Sequence, residues 1–536
     1  MPRKLRAPQV DGAALVDPPL AQVAALVERN RAIGERFDHA AGFPTGYRAE
    51  AKKSVLVALA QVAGNDPQSI SERVPLIFSG HQPELFHPGV WFKNFALSSI
   101  AKAVGGLAIN LAVDSDIIRS AGIRVPTGGR AAPRVVDVPL DAAGEDIPWE
   151  ERRILNPPVF RNFADQVRQA FQPWQSAATA GKELILDRLW PLVMAASDEE
   201  RPANLGQCLA LGRHRLEREL GLETNELPLH LLVQTDPFAH FAEHLLERAA
   251  EFRAIHNAEQ AEYRLRNGVR SRSHPAPELM QDGDWVEAPF WLWSRGNPRR
   301  RHVFVRRSAA KWELTDREGI VVAGAAGEPL RTIIGWDAMQ RQGIKLRPRA
   351  LVTTMYARLV LSDLFLHGIG GAKYDELTDA IIRRLFGVEP PAYLTATATF
   401  RLPIDRPQAS PDDVRDCARR IRELRYRPES FLNDPEPARE PQIENELISL
   451  AAEKRSYLAA QALRRASPEV FTGLDRINRA MRELLRPVEE HLRREQARLV
   501  EEARRARLLG SREFSFVLFP EEYLVPRLLE LSEVPA

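Results

Sequence analysis

Four side chains able to move or hold protons lie within one short loop: His81, Gln82, Glu84 and His87, in Ser79-Gly-His-Gln-Pro-Glu-Leu-Phe-His-Pro-Gly89. A histidine here can take a proton from an ammonium or thiol, or donate to an oxygen that gains charge as a bond forms. Beside a nucleotide, it can serve nucleotidyl transfer instead. A second polar tip follows in Val113-Asp-Ser-Asp116, where Asp114 and Asp116 can hold an amine or Mg²⁺. Plainer readings exist for both tips: the histidines hydrogen-bond within their loop, and the aspartates cap a helix. His81, Gln82, Asp114 and Asp116 are the catalytic candidates. Gly80, His87 and Asn94 are candidates for binding substrate, and no metal site is assigned.

Two further clusters can join them. Tyr263 to Pro277 packs Arg264, Arg266, Arg270, Arg272 and His274 around a glycine and leads into the aromatic run Glu287 to Trp293. Arginines beside aromatic rings hold carboxylate or phosphate through paired bonds, although a solvated basic loop fits equally well. Gly368-Ile-Gly-Gly371 precedes Lys373, Tyr374 and Asp375. Glycines let a backbone approach a ligand closely, and free N–H groups at the next helix form an anion site in principle; a plain turn is the alternative. Arg270, Arg272, His274, Gly370, Gly371, Lys373 and Tyr374 complete the substrate-binding candidates. Gly128-Gly129-Arg130 lacks phosphate-loop spacing and reads as a surface turn.

The elements around these groups are legible. Val74 to Phe78 has the length and content of a buried strand, broken by Ser79-Gly80. Pro88-Gly89 opens a helix over about 90–104, Gly105-Gly106 ends it, and Leu107 to Val113 is a second buried strand. In a parallel sheet both polar tips lie at strand carboxyl ends, where open α/β folds bind ligands. Residues 1–17 read as a loose tail, and two amphipathic helices (about 20–37 and 47–62) precede the first strand. Ile123 to Pro139 reads as loop and short strands, and Trp149 to about Asn204 as mixed and helical, with helices over 160–171 and 177–195. Leu227 to Gln234 reads as a strand and Phe238 to about Leu265 as one helix. Arg299 to Arg307 and Trp312 to Thr315 read as antiparallel strands with a solvated arginine face. Pro348 to His367 reads as a helix closed by Gly368 to Gly371, and a second helix runs to Phe386.

From Ser410 the composition shifts. A basic helix to about Arg425 and a proline-rich link precede helices at about 443–465 and 471–509. Their apolar intervals of three and four predict a coiled-coil hairpin, within one chain or between two. Phe514 to Leu531 is expected to pack back on the globular part.

The bulk numbers frame this. The 536 residues are too many for one typical domain. Basic and acidic residues, 74 against 72, nearly cancel, which makes a nucleic-acid partner unlikely on charge. Two distant cysteines argue against a disulfide scaffold and for a reducing compartment. No run of about 18 apolar residues predicts a membrane span. A cytoplasmic protein is expected.

The order of these motifs resembles the cysteine-adding enzymes of bacillithiol biosynthesis, a family of cysteine ligases. The likeness is carried by Ser79-Gly80-His81-Gln82, Val113-Asp-Ser-Asp116, Arg347-Pro348 through Gly368-Ile-Gly-Gly371 to Phe386-Gly387, and the final helices with Leu518-Phe519-Pro520. It implies an α/β fold with a Rossmann-like, nucleotidyltransferase-type core (1–408, with a connecting α+β region at about 235–345). It also implies an α-helical coiled-coil arm (409–510) used for dimerisation, and a closing segment (511–536). The implied reaction joins cysteine to a glucosaminyl malate, and ATP, ADP or Mg²⁺ are the cofactors considered. Gln82, Asp116 and Gly370-Gly371 match the family pattern. Where the family's loop carries two glutamines the first is His81, and Ser115 replaces a histidine. Three functions stay in view: a ligase-like enzyme on a small amine or thiol, another nucleotide-using transferase, and a non-catalytic coiled-coil interaction protein.

Overall fold

The computed structural model describes residues 5–40, 42–63, 73–174, 182–199, 203–271, 274–434, 440–463 and 468–535. The strands are β1 (Ala13–Asp17), β2 (Leu76–His81), β3 (Leu107–Ala112), β4 (Gly122–Thr127), β5 (Arg134–Pro139), β6 (Thr224–Pro228), β7 (Gln281–Asp282), β8 (Trp285–Ser294), β9 (Asn297–Arg307), β10 (Lys311–Thr315), β11 (Val321–Ala325), β12 (Ile344–Pro348), β13 (Leu364–His367) and β14 (Tyr393–Thr399). Six form a central sheet in the order β1-β14-β13-β2-β3-β6, parallel except for the edge strand β1. The parallel strands thus leave β2 in one direction through β3 to β6, and in the other through β13 to β14. The loops after β2 and β13 diverge at their shared border, the place where such sheets open a crevice.

Alternation along the buried strands divides the core. Ile77, Ala108, Leu364, Leu366 and Ala396 face one side, and Leu76, Phe78, Ile109, Leu111 and Phe365 the other. The helices are α1 (Val23–Ala40), α2 (Tyr47–Ala63), α3 (Pro88–Ala103), α4 (Pro157–Arg161), α5 (Phe163–Phe171), α6 (Ile185–Glu199), α7 (Leu205–Glu219), α8 (Leu229–Leu232), α9 (Asp236–Glu247), α10 (Ala249–Asn267), α11 (Arg331–Ile334), α12 (Trp336–Arg341), α13 (Ala350–Tyr356), α14 (Ile369–Phe386), α15 (Pro411–Tyr426), α16 (Pro441–Leu463), α17 (Pro468–Leu484), α18 (Arg486–Leu509) and α19 (Glu521–Ser532). Helices α3 to α7 and α19 cover the first face; α2, α9, α10, α13 and α14 cover the second, together with a six-stranded antiparallel sheet in the order β11-β10-β9-β8-β12, with β7 also paired to β8.

Several expectations need correction. The expected N-terminal tail contains β1, which pairs antiparallel with β14. Ser79-Gly80 does not break β2, whose pairing with β3 runs on to His81. The apolar run at 227–234 is strand only to Pro228; Leu229 then starts the short helix α8. Phe238 to Leu265 spans α9 and α10, divided at Arg248, and α7 was not anticipated. The run at 348–367 is not one helix. It passes through α13 and a π turn (Ala357–Leu361), breaks at Ser362-Asp363, and returns as β13. Asp363 fixes that break by accepting hydrogen bonds from Leu76 N (2.9 Å) and Lys52 Nζ (2.8 Å). Gly368 to Gly371 therefore joins a strand to a helix, not two helices. The expected long helix at 471–509 divides at Leu485, with Pro487 in the first turn of α18. The helix expected to start at 177 begins outside the described residues.

In the C-terminal helices α15 packs on α18 and α16 on α17, around Cys417, Leu424, Leu447, Ile477, Met481 and Leu492. The closing segment lies on the first core, where Phe516 N donates to Phe86 O and Ile185 N to Phe519 O. Among the described residues no helix is long and apolar enough to cross a membrane.

Candidate functional site

The parallel strands β2, β3 and β6 deliver their carboxyl ends side by side, and each carries a group able to act on protons. Gln82, just past β2, donates from Nε2 to Asp116 Oδ2 (2.8 Å). Asp116 also accepts from Arg300 Nη1 on β9 (2.9 Å), which reaches Ser115 O as well (3.2 Å). Asp114 Oδ1 accepts the backbone N–H of His230 (3.1 Å), and its Oδ2 bonds the Nδ1 of the same residue. The imidazole is thereby fixed in orientation, and among the described residues its Nε2 makes no hydrogen bond. Burial alone would lower the His230 pKa; Asp114, with a smaller contribution from Glu150, outweighs it and raises it.

Glu150 closes the same cleft, its backbone N donating to Asp114 O (2.8 Å). Burial would raise its carboxyl, but Arg347 at 2.7 Å and Lys345 at 2.9 Å hold it down to about 2. Glu84 is pushed upward, by burial first and then by Asp116, with Arg119 opposing. On the antiparallel sheet Trp291 meets two guanidinium groups, Arg300 at 4.7 Å and Arg349 at 4.4 Å from the ring centroid.

His81 lies elsewhere. It ends β2 and is buried, its Nδ1 3.0 Å from Gln82 O and its Nε2 3.3 Å from Asn94 Oδ1. Both ring nitrogens therefore face acceptor oxygens. Burial, then Arg213 and Lys93, push the ring well below its ordinary pKa. The neutral ring has one proton for two acceptors, so it can satisfy only one of them. Asn94 connects it to a buried network, donating to Glu217 Oε1 (2.6 Å), which also accepts from Trp91 Nε1 (2.8 Å) and lies against Arg213. Lys93, 4% exposed, donates to Gly80 O (2.8 Å), and burial and Arg213 lower it to about 7. His87 caps α3 by accepting from Gly89 N (3.0 Å), and burial lowers it to about 4.

The glycine cluster sits one strand away, after β13. Gly370 is open, while a Cβ on Gly371 would meet His367 Nδ1 at 2.6 Å. Lys373 is exposed and Tyr374 Oη lies 3.5 Å from His274 Nδ1. Arg270 is exposed, and Arg272 falls outside the described residues. His274 and Tyr374 are thus brought together, and Gln82 with Asp116, but as two clusters. Beneath the glycines lies a buried network: His367 Nε2 2.6 Å from Asp375 Oδ2, and Arg358 bonded to Asp375 and Asp379 at 2.8 and 2.7 Å.

His230, Glu150 and Arg300 belong to no motif in the sequence, and Arg347 enters only as the start of the Arg347-Pro348 stretch. His230 carries only the signal of a polar residue within an apolar run, and Arg300 that of a member of a basic run. Comparison with protein-family models and with curated proteins finds no match for this chain.

Proposed function

We propose that this chain is an enzyme with a Rossmann-like core that joins a small amine or thiol, such as cysteine, to a sugar-derived acceptor, as in bacillithiol synthesis. The observation that carries this reading is the Asp114–His230 pair beside Gln82 and Asp116 at adjoining strand ends. A carboxylate that holds Nδ1 and leaves Nε2 open is the arrangement of an oriented general base. His230 takes a proton from the ammonium or thiol, the freed electron pair forms the new bond to the acceptor carbon, and the imidazolium returns the proton to the oxygen whose bond to that carbon breaks, which leaves as water. Gln82, fixed through Asp116, lines the same tip. His81 positions the turn from beneath, through the Gln82 carbonyl.

The carboxylates are poor candidates for Mg²⁺, because Asp114 is taken up by His230 and Asp116 by Gln82 and Arg300. No step is routed through a metal. Use of a nucleotide, as in a transferase on the same core, is favoured only by the Gly368 to Gly371 turn at the border where β2 and β13 diverge. Dimerisation through the C-terminal helices is proposed from the apolar side chains they leave exposed, Ile448, Leu458 and Phe471.

Incubation with cysteine and glucosaminyl malate, with and without ATP, tests the reading by mass spectrometry of the products. A condensation product that disappears in His230→Asn supports it. No product under any condition, or product undiminished in that variant, overturns it.

A further inference from the structure

Arg300 uses only part of its guanidinium. Nη1 donates to Asp116 Oδ1 and Ser115 O. Nε is buried and has no hydrogen-bond partner, and among the described residues Nη2 has none either. The Nε–Nη2 edge, two parallel N–H donors in a fixed fork, is therefore vacant. A buried donor without an acceptor is costly, and water or a ligand can supply the missing partner.

The surroundings narrow the choice of partner. Arg300 lines a cavity of about 470 Å³ with Arg301, His302, Asp316 and Arg317, a size suited to a small ligand. The other two arginines are already matched: Arg301 by Glu318 and Asp316, and Arg317 by Asp282. Stacking on Trp291 holds the Arg300 plane in place, and Arg349 on the same indole is tied to Glu287 at 2.6 Å and to Phe290 O at 3.2 Å. Burial lowers the Arg300 pKa, Asp116 opposes that, and Arg349 and Arg119 lower it further. The carboxylates of Asp282, Asp316 and Glu318 offset the arginines of this cavity, so what selects the partner is the rigid two-donor edge of Arg300, the arrangement that recognises a planar or tetrahedral oxyanion.

We propose that the Nε–Nη2 edge of Arg300 receives a carboxylate or phosphate group of the ligand that enters the cleft beside Asp114 and His230. This rests on the reading of that cleft as the substrate site. The anion lies across the Asp116 contact, so that one arginine ties the ligand to the polar tip of β3.

The full chain titrated with inorganic phosphate and, separately, with succinate, at ionic strength held constant with chloride, tests this by calorimetry. At least one is expected to saturate, and Arg300→Gln to weaken it by about tenfold or more. Arg300→Lys keeps the charge but not the paired edge, so it is expected to weaken binding too, and it decides the matter if Arg300→Gln melts early. Saturation by succinate alone assigns a carboxylate, and by phosphate alone a phosphate group. Binding of neither, or binding that both variants leave unchanged (an adventitious ion only), overturns the proposal. His230→Asn separates the two readings: it should abolish turnover and leave anion binding intact. Lost turnover in that variant without anion binding by the parent chain sinks the subsite alone; anion binding with turnover undiminished in His230→Asn sinks the catalytic reading alone.

Discussion

Asp114 grips His230 twice, by the backbone N–H and by the ring Nδ1. One carboxylate at the end of β3 thereby fixes both the start of α8 and the direction of its imidazole. A base must be neutral to act, and the His230 pKa is raised. Turnover should therefore climb with pH through a value above that of an ordinary histidine. Asp114→Asn removes the charge that raises it. The limb should move to lower pH, and the rate should fall by about 10²–10⁴-fold. Stability follows with a definite sign. His230 contributes fully below the ordinary histidine pKa and loses that contribution as pH rises through the raised value. pH–rate profiles of both proteins decide it; a limb that stays in place in Asp114→Asn would remove His230 from the mechanism.

The β2-loop-α3-β3 unit could be read from sequence because its parts differ in kind: an apolar run, a polar loop, a proline-capped helix and a glycine stop. His230 could not. Leu229-His-Leu-Leu-Val continues the apolar run of β6, and no local feature shows that Pro228 is the last strand residue. Leu364 to His367 failed for the same reason, since a buried strand and a buried helix turn look alike over four residues. The direction of His81 depends on where its strand ends. A break at Ser79-Gly80 frees it into a loop, while a strand that runs to residue 81 turns it toward Asn94. Arg300 sat in a basic run whose alternate residues face different surroundings, and only pairing with β8 sets it on Trp291.

Gly370 and Gly371 are adjacent in sequence but differ in their surroundings. A methyl group on Gly371 would meet His367 Nδ1 at 2.6 Å, and that ring is held between Phe365 and Tyr393. Gly371→Ala should cost about 1–3 kcal/mol in urea unfolding. Gly370→Ala meets nothing within 4 Å and lies in a helix, so it should be neutral or stabilising by up to about 1 kcal/mol. If a ligand passes close to this turn, Gly370→Ala lowers its affinity without lowering stability. Equal unfolding free energies for the two variants would contradict the packing at His367.

Asp375 is the hub of the network under α14. It meets Arg358 at 2.8 Å and His367 at 2.6 Å and accepts from Thr354 Oγ1 at 2.9 Å. Burial would raise its carboxyl, yet His367 and Arg358 hold it well below the usual range. Asp375→Asn leaves the buried Arg358 with Asp379 alone as a carboxylate partner among the described residues and should cost about 3–5 kcal/mol. Asp379→Asn, which removes the more exposed partner, should cost less. The depressed pKa gives stability present above the ordinary aspartate value and lost as pH falls through the native one. Urea titrations of both variants at neutral and acidic pH measure it, and equal losses for the two would deny Asp375 its central place.

Lys93 makes the opposite case, a buried charge that the fold disfavours. The residue is 4% exposed, and among the described residues its ammonium donates to Gly80 O. Burial, with Arg213 adding to it, brings the native value from about 10.5 down to about 7. Between those two values the unfolded chain binds one more proton than the native one, so this residue makes stability rise with pH. Lys93→Met keeps most of the stem and removes the charge. The Gly80 carbonyl loses its donor at every pH, which is a constant cost. The relief from the buried charge is not constant: it is full below about pH 7 and fades toward pH 10. The variant should therefore gain on the parent as pH falls and lose ground as it rises, read as the difference in urea midpoint across that range. A difference that stays flat with pH would mean that the ammonium has a counter-charge in the folded chain, and that this end of β2 does not hold an uncompensated lysine.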